Sequence, residues 1–296
     1  MKRKAKLLLG MFFCSAWLSA LPAQELKDYV SKYTSANGAG YMQPLADAFG
    51  GNLNSGFYHG ARIKTFGFHI YIGVETMTAL IADDQKTFTA KTEEPFYKPQ
   101  TTEAPTIFGS VKGAAVTGEG GTVFNFPGGL DISKLPLAVP QVSVGSILGT
   151  EATVRFVKAK IDDNIGEVKL FGFGAQHSLS QYFKDFPIEL AAGFLIQKFE
   201  VGNIVEANTK YFGLQGSYSR SILTLYGGAG IASTTLDIAY DYKSGAGTET
   251  IKFGLEAENA ARFTAGVALN LLVLKLHADY NFGAQNVVAL GLGFGF

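Results

Sequence analysis

The residues best equipped for chemistry in this chain are its four histidines, His59, His69, His177 and His277. They fall in four different segments. Asp279 lies two positions beyond His277, so in an extended strand both side chains face the same side. Such a pair could polarise a serine hydroxyl on a neighbouring strand. No sequence context marks that serine, and His177-Ser178-Leu179-Ser180 is equally unspecific. The simpler reading is a polar network that holds other parts of the chain. Asp162-Asp163-Asn164 and Asp83-Asp84 lack the full ligand set of a calcium loop and read as hairpin tips. The one cysteine, Cys14, excludes an internal disulfide and a Cys-based zinc site. The glycines fall at strand spacing and cradle no phosphate. No catalytic, cofactor-binding or metal site is expected, and the chain is not expected to be an enzyme.

The composition says what must position these residues. Lys plus Arg and Asp plus Glu are both 25, so there is no basic excess for nucleic acid, and none is expected as a partner. Charged residues are 17%, against roughly 25% in ordinary soluble domains. Glycine (36), Phe (24) and Tyr (13) are abundant. This is a sheet protein with one face against something apolar. Lys2, Arg3, Lys4 and Lys6 precede an apolar stretch from Leu7 to Leu18, and Leu21-Pro22-Ala23 offers a small residue before Gln24. That is the three-part pattern of a secretory signal peptide over 1–23, too short to span a bilayer.

Beyond it the apolar residues alternate. Leu292, Phe294 and Phe296 share one strand face, and Gly291, Gly293 and Gly295 the other. A soluble sandwich would carry polar residues on its outer face. Bulky apolar on one side and bare glycine on the other fits a wall between lipid and a crowded lumen. Phe171 and Phe173 against Gly172 and Gly174 repeat the device. Leu274, Leu276, Ala278, Tyr280 and Phe282 against Lys275, His277, Asp279 and Asn281 give the apolar-out, polar-in pattern of a transmembrane barrel.

The predicted class is therefore all-β, a transmembrane antiparallel β-barrel over 52–296 in the bacterial outer membrane. Eleven strand segments are legible: 53–63, 66–80, 138–148, 150–161, 166–178, 187–200, 207–219, 222–242, 248–269, 273–283 and 286–296. Single-chain bacterial barrels have an even number, so about 12 strands are expected, within 10–14, with a missed one near Gly121 to Phe126. Counting back from Phe296, the turns at Ile147-Leu148-Gly149, Ser219-Arg220-Ser221 and Asn270-Leu271-Leu272 share its end of the barrel. So does a longer connection from Ser178 to Phe186. A long loop at 82–136 lies at the other, extracellular end. Phe296, Phe294 and Leu292 are expected to face lipid and to form a C-terminal insertion signal read by the barrel-assembly machinery.

Residues 24–51 do not alternate. Leu26, Tyr29, Val30 and Tyr33 predict a short helix, Asn37 to Gly40 a break, and Pro44 a second helix over Leu45 to Phe49. The sharper of two readings makes this segment a lumenal plug through Tyr29, Tyr33, Leu45 and Phe49, lying on the glycine faces of Gly172, Gly174, Gly291, Gly293 and Gly295. The other is a periplasmic tail with a frayed helix.

The stretches GYMQPLADAFGGNLNSGFYHGA (Gly40 to Ala61), GTEATVRF (Gly149 to Phe156) and KLHADYNFG…GLGFGF (Lys275 to Phe296) resemble an uncharacterised family of outer-membrane barrels from Bacteroidetes-like bacteria. A helical segment ahead of a barrel of this size also resembles, in architecture alone, the long-chain fatty-acid transporters. That resemblance implies an N-terminal hatch and passage of hydrophobic molecules. The expected function is a passive conduit for small or hydrophobic molecules. The alternative is a closed structural or surface-interaction barrel acting through its extracellular loops. Expected partners are outer-membrane lipid and the assembly machinery, with a hydrophobic small molecule as a further candidate; no cofactor is expected.

Overall fold

The computed structural model describes residues 35–92, 100–118, 121–162, 166–183, 186–244, 247–258 and 261–296. The segment read as a signal peptide, the helix read at Glu25 to Tyr33, and Tyr29 and Tyr33 themselves lie outside the described residues. No helix among those described is long and apolar enough to cross a membrane.

The wall is built from β1 (Phe66–Leu80), β6 (Lys134–Ile147), β7 (Thr150–Asp162), β8 (Gly166–Ser178), β9 (Glu189–Val201), β10 (Val205–Arg220), β11 (Leu223–Ser244), β13 (Ala261–Leu271), β14 (Leu274–Phe282) and β15 (Val287–Gly295). Each pairs antiparallel with its neighbours, and the seam from Tyr71↔Gly295 to Ala79↔Val287 closes the ring. Closure leaves no free edge along the wall. The ring has ten strands. An eleventh, β12 (Gly247–Glu256), pairs with the far half of β11 and lifts it above the rest. The expected twelve strands are thus ten in the ring and one extension.

Two corrections produce that count. The segment read as a strand at 53–63 is not one: a helix ends at Leu53 and the chain then runs irregularly. The segment read as one strand at 248–269 is β12 followed by β13, interrupted between Glu256 and Ala261. The strand sought near Gly121 to Phe126 does exist, as β5 (Val123–Phe126), but outside the wall. It pairs with β4 (Ala114–Thr117), as β2 (Thr87–Lys91) pairs with β3 (Thr101–Pro105). These two hairpins fold the long segment between β1 and β6 into a cap.

Burial shows why the ring forms. Outward residues are large, apolar and exposed, as with Ile72, Phe173, Phe212 and Leu292. Inward residues are polar and buried, as with Glu75, Thr153, Gln197 and Asp279. This inverts a soluble protein, and an exposed apolar belt of that extent requires lipid around it. The turns at Leu148-Gly149, Ser221-Ile222 and Leu272-Val273 carry positive φ at Leu148, Gly149, Ser221 and Leu272. Positive φ early in a two-residue turn matches the twist of the flanking strands. All three lie at the Phe296 end, with the longer Ser180–Tyr182 connection.

Candidate functional site

One helix, α1 (Ser35–Leu53), fills the upper lumen, where two helices split at Gly38-Gly40 were expected. It runs through Gly38 and Gly40 with Pro44 inside. Glycine at 40 is required by close approach: a Cβ there would strike the Phe88 ring of β2 at 3.0 Å or less. The missing amide of Pro44 costs the helix one bond to the carbonyl four residues back. Burial on nearly all sides offsets that cost. Tyr41, Met42, Leu45, Ala46, Phe49 and Leu53 are buried against Leu135, Leu137, Phe199, Ile238 and Val287 of the wall and Ile107, Phe108 and Phe126 of the cap. Each large side chain so buried is worth about 1.5–3 kcal/mol. The Phe49 and Phe199 rings lie 5.2 Å apart.

Gln43 Nε2 donates to the Glu256 carbonyl at 2.8 Å, and the Glu258 amide donates to Asp47 Oδ1 at 2.8 Å. Burial raises the Asp47 carboxyl above the usual range, against the lowering effect of bonds from Glu258 and Gln43. On the exposed cap the opposite holds: the Lys86 ammonium hydrogen-bonds Asp83 and holds its carboxyl low.

Two buried arginines hold the C-terminal end of α1. Arg155 donates to the carbonyls of Leu53 (3.1 Å) and Ser55 (2.9 Å) and to Gln141 Oε1 (2.8 Å). Arg262 donates to Ser55 Oγ at 2.6 Å and stacks over Tyr211 at 6.0 Å. A helix C-terminus presents unsatisfied carbonyls and a partial negative charge, which cations satisfy.

Past Leu53 the chain threads down the lumen. Phe57 lies on Gly174 and Gly193, and Tyr58 on Gly228. His59 stacks on His277, ring centroids 4.9 Å apart. The Ala61 amide donates to Ser217 Oγ at 2.9 Å, and the Thr65 carbonyl accepts from Gly149 at 3.1 Å, at the Phe296 end. The helix therefore enters from the cap end. At that end Asn37 bonds Lys91 of β2. The chain thus reaches β1 from above, through the lumen.

The polar lumen surrounds this thread. Glu75 accepts from Tyr71 OH at 2.8 Å and meets His277 Nε2 at 2.7 Å. Asp279 accepts from Tyr226 OH at 2.9 Å and from Asn281 Nδ2 at 2.6 Å. Asp279 and His277 do share an inward face, and among the described residues no serine hydrogen-bonds either. His69 pairs with Glu151 at 3.0 Å, and His177 lies at the rim against Thr150 and Tyr182.

Of the residues singled out from sequence, Leu45 and Phe49 are 1% and 6% exposed within the ring. Leu292, Phe294 and Phe296 point outward, 53%, 60% and 71% exposed. The five glycines point inward, but only Gly174 meets the thread, at 2.8 Å from Phe57. Gly291 faces the His277–Glu75 pair, Gly293 faces Tyr71, Gly172 faces Gln197 and Gly295 faces Lys275. Most of the glycine surface makes room for the wall's own side chains. Arg155, Arg262, Phe57 and Tyr58 went unnoticed in the sequence. The polar alternation of β7 places Arg155 inward, but nothing local announces its partner 100 residues away.

The chain belongs to a family of unknown function, DUF6588, whose model matches residues 1–296. No curated protein matches it. Among solved structures it is similar to the attachment invasion locus protein Ail of Yersinia pestis, with 12% identity, 77% of this chain and 97% of that one covered, and a TM-score of 0.27. It is also similar to the outer membrane protein OmpT of Vibrio cholerae (10%, 78% and 100%, TM-score 0.29). A third is the outer membrane channel DcaP of Acinetobacter baumannii (11%, 81% and 100%, TM-score 0.22). The barrel assignment rests on the strand pairing itself. The comparisons establish neither a Bacteroidetes source nor a fatty-acid-transporter kinship.

Proposed function

We propose that this protein is an integral outer-membrane barrel and a gated conduit, closed at rest by residues 35–65. Phe296 and the short turns lie in the periplasm, the cap faces outside, and Phe296, Phe294 and Leu292 serve as the C-terminal insertion signal. The observation that carries the conduit reading is that the occupant of the lumen is a separate segment of chain, not the wall. Around α1 the wall is apolar, but below it the lining is polar: Gln141, Ser143, Thr153, Gln176, Gln197, Thr209 and Gln215 are all inward and buried. Such a lining is costly in a permanently dry interior and suited to a pathway that fills with water or a polar solute. The charged residues grip the thread at few points, chiefly Arg155 and Arg262.

A second reading is a closed barrel that acts through its outer surface. It draws on the apolar core that joins α1 to Ile107, Phe108 and Phe126 of the cap. Single-channel recording in planar bilayers separates the two. The conduit reading expects rare openings in the wild type and more frequent ones in Arg155→Gln/Arg262→Gln. If both proteins insert folded and neither ever conducts, the conduit reading fails and the surface reading stands.

A further inference from the structure

From Asn54 to Thr65 the thread contains one histidine, His59, and no aspartate or glutamate. His59 is therefore its one side chain of a type that changes charge between neutral and acid pH. The wall receives that ring without giving it a counter-charge. His59 stacks on His277 of β14, ring centroids 4.9 Å apart and planes at 17°, and lies as close to Tyr71 of β1. His277 and Glu75 flank Gly291 from the two neighbouring strands. Glu75 is engaged on both oxygens: Oε1 accepts from Tyr71 OH at 2.8 Å, and Oε2 pairs with His277 Nε2 at 2.7 Å. The next carboxylate, Glu151 of β7, pairs with His69 of β1 at 3.0 Å. Among the described residues His59 has no carboxylate within 4.0 Å, and its Nδ1 is buried without a hydrogen-bond partner. Behind His277 stand Asp279 of β14 and Arg155 of β7.

We propose that His59 is a proton-operated latch: neutral, it seats the thread on the wall, and protonated, it releases the thread from the lumen. An imidazolium needs an acceptor at both nitrogens, and a buried N–H left without one is costly. A proton on His59 would also face a second imidazole that already holds the nearer carboxylate, and like charges repel more strongly in so poorly solvated a site than in water. The wall residues are fixed by strand pairing. The thread joins no strand ladder, so it is the part able to move. His59 rides on the thread and not on a spanning strand; burial, then the neighbouring His277, hold its pKa down to about 4. Released into water it would return to about 6.5. The released state thus binds the proton more readily. The closed state is fully favoured above about pH 6.5 and loses that advantage as pH falls toward 4. The inference rests on the gated-conduit reading and deepens it by naming what opens the gate.

The test uses the full chain with Cys14→Ser, folded in detergent, with folding checked at each pH by heat-modifiable gel mobility. Gly60→Cys places a thiol beside His59, where a Cβ meets nothing nearer than 3.8 Å. Its rate of reaction with a polyethylene-glycol maleimide is divided by that of Ser221→Cys, in an exposed turn, at the same pH, which cancels the thiol's own titration. The expected result is a ratio that rises about ten- to thirtyfold from pH 7.5 to pH 5. In His59→Phe, which keeps a ring in the stack and loses the proton, and in His59→Gln, the ratio should stay flat. A flat ratio with His59 present, or an equal rise in both variants, overturns the proposal. Planar-bilayer recording at the same two pH values separates the latch from the conduit. Fast labelling at pH 5 without conductance would strike the conduit reading and leave the latch standing.

Discussion

At the residue scale the inward glycines differ in what they exclude. A Cβ at Gly291 would collide with the His277 ring and the Glu75 carboxylate, two buried groups that hold each other. Neither can retreat without leaving a buried polar group unpaired, which itself costs about 1–3 kcal/mol. At Gly295 the nearest atoms are the Ile70 carbonyl at 3.2 Å and the flexible Lys275 stem at 3.4 Å. Gly291→Ala should therefore destabilise the barrel by about 1–3 kcal/mol, and Gly295→Ala by clearly less. Urea unfolding followed by gel mobility decides it; equal losses at the two sites would refute this account of the glycine face.

At the element scale α1 is the least legible part of the molecule and the most consequential. Helix periodicity is read from one apolar stripe, and this helix has neighbours on nearly every side, so no stripe develops. Gly38 and Gly40 read as a break because the ring of Phe88, 48 positions on from Gly40, is invisible to local inspection. The less deeply buried side of α1 makes a separate prediction through Asp47. Folding raises its pKa by burial, so the folded state binds its proton more readily than the unfolded one. Its contribution to stability then falls as pH rises through the folded value and is least favourable at neutral pH. Asp47→Asn keeps an oxygen to accept from Glu258 and removes the charge. The variant should match or exceed wild-type stability at pH 7, and the difference should shrink on acidification. A gap that instead widens toward acid pH would reverse the sign and dismiss burial as the dominant effect.

At the scale of the whole molecule the direction of the thread has a direct consequence. Ala36 is exposed and stands beside the cap, at the end opposite Phe296. The chain's only cysteine is Cys14, within the segment read as a signal peptide. In intact cells Ala36→Cys should react with a membrane-impermeant maleimide, whereas Ser221→Cys, in a turn at the Phe296 end, should react only after the outer membrane is opened. Labelling in the reverse order would invert the barrel.

What the residues determined by themselves is the wall. A strand shows its two faces at every second position, and lipid outside with polar groups inside stamps that alternation on each segment. Hence nine of the eleven strand segments coincide with ring strands and a tenth contains β13 merged with β12, and the shared turns at Leu148, Ser221 and Leu272 follow from direction alone. The inward side of His277, Asp279, Gly172 and Gly291 was legible for the same reason. What only the tertiary structure decided is everything that depends on contact across the lumen. Leu53 to Ala61 read as a strand because their alternation resembles one, yet they lie among Arg155, Gly174, His277 and Ser217 from four different strands. A few alternating residues look the same in a paired strand and in an irregular thread packed inside a ring, and periodicity over so short a stretch does not record which partner imposed it.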